Sequence, residues 1–241
     1  MPDVVLKAEH VTKRFGGITA LEDAQLELYK GEVHALVGAN GAGKSTLIKI
    51  ITGAYSSDEG DIYLDGQKVD IKSTFDARAK GISAVYQEFS LINTVSVAEN
   101  IYMGKLLYNN LGPIPRADWK RMNEETQKIL DSLGVKNIKP ETIVGRLSVA
   151  QKQMVEIAKA LSNDLKVLIM DEPTASLSDN EIENMFKIVK DLRAKGISIV
   201  YVSHRLEELP IICDRISVYR DGHYIKTMNI EDAPKQVIIE N

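Results

Sequence analysis

The chain has 241 residues, of which 44% are hydrophobic, and a formal net charge of −4 at pH 7. This length and apolar content suit one α/β domain, with or without a small inserted lobe. The mildly acidic balance argues against non-specific nucleic-acid binding, and the single cysteine, Cys213, excludes an intrachain disulfide framework and favours a reducing compartment. No stretch approaches the roughly 18 apolar residues of a membrane span, and the N-terminus lacks the apolar core of a signal peptide, so a cytoplasmic location is predicted.

A glycine-rich loop lies between a predicted strand and a predicted helix in the first part of the chain. Residues 33–37 are typical of a buried strand, and residues 47–51 continue as a helix that closes near Gly53. The Lys44 ammonium, the backbone N–H groups and the helix N-terminus would hold phosphates there, and the Ser45 hydroxyl would ligate Mg²⁺. A glycine-rich turn without a ligand is the alternative, which the strand–helix frame disfavours. The loop fits the pattern G-x-x-x-x-G-K-[ST] and reads Gly38, Ala39, Asn40, Gly41, Ala42, Gly43, Lys44, Ser45 and Thr46.

Further strands and then a helical region are predicted around and after this loop. Strands at residues 26–29 and 62–64 indicate a β-rich edge. Residues 96–161 show a helical pattern, interrupted between residues 109 and 115, and predict a helical lobe inserted in the core. One helical face of this lobe is expected to pack in its interior and to end at Gly134; it carries Trp119, Met122, Ile129, Leu130 and Leu133.

Strands and helices alternate after the predicted lobe. Residues 167–170 indicate a buried strand, residues 182–189 carry one apolar helical face, and residues 197–202 form another strand. The pair Asp221-Gly222 between two apolar runs predicts a hairpin. This alternation predicts an α/β fold with a largely parallel sheet covered by helices.

Two carboxylates follow the strand at residues 167–170 directly. Asp171 and Glu172 are therefore expected at the carboxyl end of a sheet strand, where ligands of α/β proteins bind. Beside a phosphate loop, Asp171 would hold Mg²⁺ and Glu172 would orient the water that attacks the γ-phosphorus. A solvated turn is the alternative for such an acidic pair.

A third motif precedes a predicted helix. Ser148 and Gln151 have the spacing of a capping box, which marks a helix start. The stretch Leu147-Ser148-Val149-Ala150-Gln151 also resembles the signature Leu-Ser-Gly-Gly-Gln of the ATP-binding cassette (ABC) ATPases. The resemblance implies that Ser148 and Gln151 contact the γ-phosphate held by the phosphate loop of an opposing cassette. Two cassettes would then share each ATP site, in a head-to-tail dimer that ATP stabilises.

Other residues match the same family in the order it requires, from about residue 5 to residue 228. The resemblance implies that Gln87 reaches the metal and the attacking water, and that His204 contacts the γ-phosphate. Residues 175–178 resemble the loop that communicates across the dimer. Phe15 resembles the aromatic residue that stacks on adenine, with ordinary packing as the alternative. The fold implied is a P-loop NTPase of the ABC type, a single nucleotide-binding domain with a mainly parallel sheet, an antiparallel β subdomain and a helical subdomain at about 96–161.

Within this family, residues 86–91 and 147–161 resemble the first cassette of bacterial importers for monosaccharides of the ribose, galactose or xylose type. Such subunits usually carry two cassettes in a chain of about twice this length, which implies an N-terminal half; a natural single-cassette subunit is the alternative. The implied activity is ATP hydrolysis that drives import. The implied partners are integral membrane permease subunits and, indirectly, an extracytoplasmic sugar-binding protein, with the chain peripheral to the inner face of the membrane.

Two other functions fit the sequence less well. A soluble, non-transport cassette acting on nucleic acid or ribosomes would be expected to show a basic arm or a coiled-coil insertion, so no nucleic-acid partner is expected. A nucleotide-binding module without hydrolysis is disfavoured by Glu172 and His204. One departure from the family pattern is that Val149 and Ala150 replace two glycines at a close approach to phosphate. We therefore expect this chain's own phosphate loop and Glu172 to form a competent site, and its signature to serve a weaker one.

Overall fold

The computed structural model describes residues 3–109 and 115–233, so most of the predicted interruption at 109–115 lies outside the described residues. The strands are β1 (Val4–Phe15), β2 (Ile18–Tyr29), β3 (Val33–Val37), β4 (Glu59–Leu64), β5 (Gln67–Val69), β6 (Ile82–Val85), β7 (Tyr108–Asn109), β8 (Arg116–Ala117), β9 (Val167–Asp171), β10 (Ser198–Val202), β11 (Arg215–Arg220) and β12 (His223–Asn229). The helices are α1 (Lys44–Ile51), α2 (Thr74–Ala79), α3 (Val97–Tyr102), α4 (Trp119–Ser132), α5 (Val149–Leu161), α6 (Asp179–Ala194) and α7 (Leu209–Ile212).

One large sheet runs through the molecule in the order β5-β4-β1-β2-β12-β11-β3-β10-β9-β6. Its half from β11 to β6 is parallel, and its other half pairs β1, β2, β4 and β5 antiparallel. The antiparallel hairpin of β11 and β12 reaches the second half through a parallel pairing of His223 with Glu22. The predicted largely parallel sheet, antiparallel β region and hairpin at Asp221-Gly222 are confirmed.

The two faces of the parallel half pack into two separate cores. In β10, Ile199 and Tyr201 belong to the core that includes α3 to α7, whereas Val200 and Val202 belong to the core that includes α1 and α2. Successive residues of a strand point to opposite faces, so a continuous apolar strand must be covered on both sides. The phosphate-loop helix α1 therefore lies on one face of the sheet, and α5 and α6 on the other.

The region of the predicted helical lobe contains α3, α4 and α5, which pack against one another. The short strands β7 and β8 pair antiparallel within it. Met122 and Leu130 of α4 are buried as predicted, and Gly134 after the helix has a left-handed φ of 71°. Trp119 differs, with 49% of its surface exposed. Helical side chains lean toward the N-terminus, so the side chain of this first residue projects beyond the packed stripe.

Candidate nucleotide-binding site

The glycine-rich loop joins the carboxyl end of β3 to α1, and two of its glycines have no room for a side chain. Gly38 has φ 151°, and a Cβ atom there would lie 2.2 Å from the carbonyl oxygen of Tyr219. Gly43 has φ 94°, and its Cβ would lie 2.7 Å from Leu21 Cδ1. Gly41 is also left-handed but has open space around it. The loop conformation therefore depends on glycine at both ends of the motif.

Replacing Gly38 with alanine is expected to lower the free energy of unfolding by more than about 2 kcal/mol, because the methyl group meets backbone and the φ is unfavourable. Gly41→Ala introduces only the backbone strain, which should lower the free energy of unfolding by about 1 kcal/mol. Urea denaturation of both variants measures the difference. Equal destabilisation would show that the close approach to Tyr219 has no energetic weight.

The start of α1 presents its backbone donors without a competing side chain. Gly43 is the N-cap residue, and no side chain caps the helix. Lys44 Nζ donates to the carbonyl oxygens of Gly38 at 2.7 Å and Ala39 at 3.1 Å. Burial lowers the pKa of the Lys44 ammonium, an effect that Asp171 and Glu172 oppose. The first backbone N–H groups of a helix and a lysine form a site that suits phosphate.

The remaining loop residues differ in exposure. Asn40 and Ser45 are exposed, Thr46 is half-buried and Ala42 is buried. Ser45 directly follows Lys44 in the first turn of α1, so its hydroxyl lies at the same helix end. The loop therefore offers an exposed hydroxyl beside a buried ammonium.

The two predicted carboxylates lie at the end of β9, opposite the phosphate loop. Burial raises the pKa of the Asp171 carboxyl above its usual range, and the neighbouring Glu172 charge adds to this shift. Glu172 has a left-handed φ of 52°, and its N–H donates to the carbonyl oxygen of Val202 on β10 at 2.9 Å. His204 Nε2 lies 2.9 Å from Glu172 Oε1. A left-handed φ is uncommon for a residue other than glycine, and here it occurs at the residue whose carboxylate contacts the histidine.

The donor atoms fit a bound Mg²⁺ ion held partly by phosphate. Asp171 is a half-buried carboxylate whose charge is disfavoured by burial and by Glu172, and a nearby cation would relieve both effects. In the described part of the chain no group of three or more His, Cys, Asp or Glu residues could form an all-protein metal cage. Mg²⁺ commonly uses one or two carboxylates together with substrate phosphates and water, so this sparse oxygen set suits it.

Replacing Asp171 with asparagine is expected to stabilise the nucleotide-free protein at neutral pH, because it removes a charge that the fold disfavours. A raised carboxyl pKa makes the free energy of unfolding fall as pH rises from the ordinary value of about 3.9 through the raised one. The gain of the variant should therefore be largest above that window and vanish below it. Thermal melts from pH 3 to pH 8 measure this, with Asp164→Asn on an exposed loop as the control. A variant that melts below the wild type at pH 8 would contradict the assignment.

Phe15 is the last residue of β1 and is 41% exposed. Tyr55, which the sequence analysis missed, packs edge-on against it, with ring centroids 5.2 Å apart and an interplanar angle of 68°. Lys13 Nζ lies 5.5 Å from the Phe15 centroid. An exposed ring held by a second aromatic offers a face to a flat base. A single tyrosine after a helix carries no sequence signal that would have identified it.

The predicted signature lies on a different surface. Ser148 caps α5, and the reciprocal bonds of the capping box with Gln151 are both present, so the predicted helix start is confirmed. Both residues line a cleft of about 700 Å³ between the start of α5 and α6, and none of residues 38–46 lines it. Gln87 is exposed just beyond β6. The chain thus gathers Lys44, Asp171, Glu172 and His204 but leaves the signature apart from them.

A phosphate loop between strand and helix, with carboxylates at the end of a second strand of the same sheet, defines the class of phosphate-loop nucleotide-binding proteins. A family model described as ABC transporter matches residues 21–175. The chain belongs to the ABC transporter family.

The sequences of relatives of known name align with almost the whole of this chain. The putative ribose/galactose/methyl galactoside import ATP-binding protein 1 of Burkholderia ambifaria is 48% identical over 235 residues, which cover 98% of this chain and 44% of that protein. The ribose import ATP-binding protein RbsA of Hahella chejuensis is 45% identical over 98% of this chain and 46% of its own length. The chain thus spans less than half the length of these relatives, and the predicted resemblance to cassettes of monosaccharide importers is confirmed.

Solved structures confirm the predicted ABC-type ATPase fold. A nucleotide-free ATP-binding cassette from an ABC transporter superposes with a TM-score of 0.84 at 28% identity, covering 99% of this chain and 96% of that one. A dimeric ATP-binding cassette in a post-hydrolysis state, bound to ADP and Pi, gives a TM-score of 0.77 at 26% identity, covering 93% of this chain and 98% of that one.

Proposed function

We propose that this chain binds and hydrolyses ATP and thereby drives the import of a sugar across a membrane. The observation that carries the proposal is the grouping of Lys44, Asp171 and the Glu172–His204 pair around a loop built to hold phosphate. The names of the relatives, which are import ATP-binding proteins for ribose or galactose, support sugar as the cargo.

Each group of the site has a chemical task in this proposal. The N–H groups of the loop bind phosphate oxygens, and the Lys44 ammonium leaves the loop carbonyls to bind the outer phosphates. Ser45, Asp171 and Gln87 would hold Mg²⁺, which when bound would neutralise charge on the phosphates. Glu172 accepts a proton from the attacking water, and His204 contacts the γ-phosphate and keeps this carboxylate oriented. Phe15 stacks on the adenine ring.

A second cassette would complete the site. Ser148 and Gln151 line a cleft that no residue of their own phosphate loop lines, so they are available to a nucleotide held by another cassette. The positive end of the helix dipole at the start of α5 attracts anions even with Ser148 as its cap, which favours a head-to-tail dimer with ATP between the two chains. The solved dimeric cassette bound to ADP and Pi supports association of two cassettes. Light scattering with and without ATP tests it.

Membrane partners would turn the closure of two cassettes around ATP into transport. No helix among the described residues is long and apolar enough to cross a membrane. We infer that residues 96–161 act as a helical subdomain that passes closure to integral permease subunits on the inner face of the membrane. An extracytoplasmic sugar-binding protein would act indirectly through the permease.

Phosphate release from ATP tests the proposed activity most directly. We expect Mg²⁺-dependent release that EDTA abolishes, together with an ATP-dependent rise in melting temperature. A rise without release would instead identify a nucleotide-binding module that does not hydrolyse ATP. Stimulation by ribosomes or DNA, and none by permease in proteoliposomes, would favour a non-transport cassette.

Ser148→Ala tests whether the signature serves a weaker site. We expect a smaller loss of ATP turnover than Glu172→Gln causes, because Val149 and Ala150 crowd the approach of the helix end to phosphate. The variant also loses a helix cap, which should lower the free energy of unfolding by about 1 kcal/mol. Ser96→Ala removes the matching capping box of α3 and controls for that effect. Equal loss of turnover from Ser148→Ala and Glu172→Gln would refute the asymmetry.

A further inference from the structure

A buried carboxylate, Glu208, lies at the junction of the two loops that follow β9 and β10. Only 4% of its surface is exposed. Its Oε2 atom accepts hydrogen bonds from Thr174 Oγ1 at 2.8 Å, from the Tyr201 hydroxyl at 3.0 Å and from Ser203 Oγ at 3.2 Å. Three hydroxyl groups, one from the loop after β9 and two from β10 and the turn after it, therefore converge on one carboxylate oxygen.

Two of these hydroxyls belong to the loops that carry the site. Thr174 lies two residues after Glu172, and Ser203 directly precedes His204. The Ser203 hydroxyl also accepts a bond from the N–H of Arg205 at 3.0 Å, so it holds the backbone on both sides of His204. The carboxylate thus joins the loop of one site residue to the turn of the other.

The members of this arrangement are buried and hydrogen-bonded to one another. Thr174 is 1% exposed, and the Tyr201 ring is fully buried. Burial raises the pKa of the Tyr201 phenol far above its usual range, so this hydroxyl stays a donor. Arg205 Nη1 lies 3.3 Å from the other oxygen, Oε1. A buried carboxylate that loses a donor is strongly disfavoured, so the loops cannot move apart without a compensating change.

We propose that Glu208 is a positioning residue that sets the distance and orientation between Glu172 and His204 through its bonds to Thr174 and Ser203. The inference rests on the proposed ATPase function for its kinetic consequence, but the geometry it describes exists without nucleotide. Reacting groups tolerate little displacement, since a shift of about 1 Å can cost a hundredfold in rate.

Two variants that each remove one hydroxyl group distinguish an effect on the position of the site residues from an effect on the stability of the fold. Thr174→Val and Tyr201→Phe each remove one hydroxyl from Glu208 Oε2 and change no charge, but only Thr174 connects the loop of Glu172. We expect Thr174→Val to lower kcat for ATP hydrolysis about tenfold or more and to leave the Kd for ATP within about twofold. Tyr201→Phe should keep kcat close to wild type at a similar loss of stability in urea. Equal kcat in the two variants would overturn the proposal.

A spectroscopic measurement tests the geometry without any activity. The chain has four histidines, and the proton NMR signal of His204 Cε1–H is assigned by its loss in His204→Gln. Without nucleotide, Thr174→Val and Glu208→Gln should both shift this signal, whereas Tyr201→Phe should not. An unchanged His204 signal in Thr174→Val would overturn the proposal even if Glu208→Gln fails to fold. If Thr174→Val shifts the signal but the wild-type chain releases no phosphate from ATP, the proposed function is refuted and the role of Glu208 stands.

Discussion

Replacing Glu172 with glutamine is expected to lower ATP turnover by about 10² to 10⁴-fold while ATP binding is retained. The amide has the same size as the carboxylate and can still contact His204, but it cannot accept a proton from water. Bound ATP should therefore accumulate between two cassettes. Phosphate release measures the loss of turnover, and the rise in melting temperature with ATP measures binding.

Glu183→Gln is the matched control for this change. Glu183 is exposed on α6, so the variant makes the same substitution away from the site. It should hydrolyse ATP like the wild type. If Glu172→Gln also hydrolyses ATP at the wild-type rate, Glu172 is not the base, and the contact with His204 is only structural.

The site contains three features that work against folding. Burial disfavours both the Lys44 ammonium and the Asp171 carboxylate, and Glu172 has a left-handed backbone. Phosphates would stabilise the first group and a magnesium ion the second. Because a ligand that binds only the folded state adds its binding free energy to stability, Mg²⁺ and ATP should raise the melting temperature together more than ATP alone.

Local patterns in the sequence predicted the elements that carry the site. The strand before Gly38, the carboxylates after residue 170 and the hairpin at Asp221-Gly222 all lie within a few residues of the signal that marks them. The spacing of apolar residues and the residue types of turns are local properties, so they predict an element without knowledge of the elements that pack against it. This is why the phosphate loop and the carboxylates could be predicted with their neighbouring secondary structure.

Contacts between distant segments could not be predicted in this way. The hydroxyl of Thr174 meets Glu208 across 34 residues, and Tyr55 meets Phe15 across a similar stretch of chain. An acidic residue four positions after His204 is indistinguishable in sequence from a solvated one. Which strands become neighbours, as in the pairing of β12 with β2, depends likewise on the packing of the whole sheet.

Replacing Lys44 with alanine is expected to abolish ATP binding and to leave the fold intact. The ammonium bonds only loop carbonyls, and burial already disfavours its charge, so its removal should not lower the free energy of unfolding. The outer phosphates would lose their full positive charge. Thermal melts distinguish the two effects: ATP at 100 times its Kd should stabilise the wild type by about 2.7 kcal/mol and the variant by none.

Lys49→Ala provides the control on the same helix. Lys49 lies in the last turn of α1, with its ammonium 5.3 Å from the Tyr55 ring centroid, and it makes no bond to the loop carbonyls in the described structure. Its variant should keep most of the stabilisation by ATP, because the charge that meets the outer phosphates is still present at Lys44. If both variants lose the stabilisation equally, the effect is a general loss of positive charge near the loop. Retention of full stabilisation by Lys44→Ala would place the phosphates elsewhere.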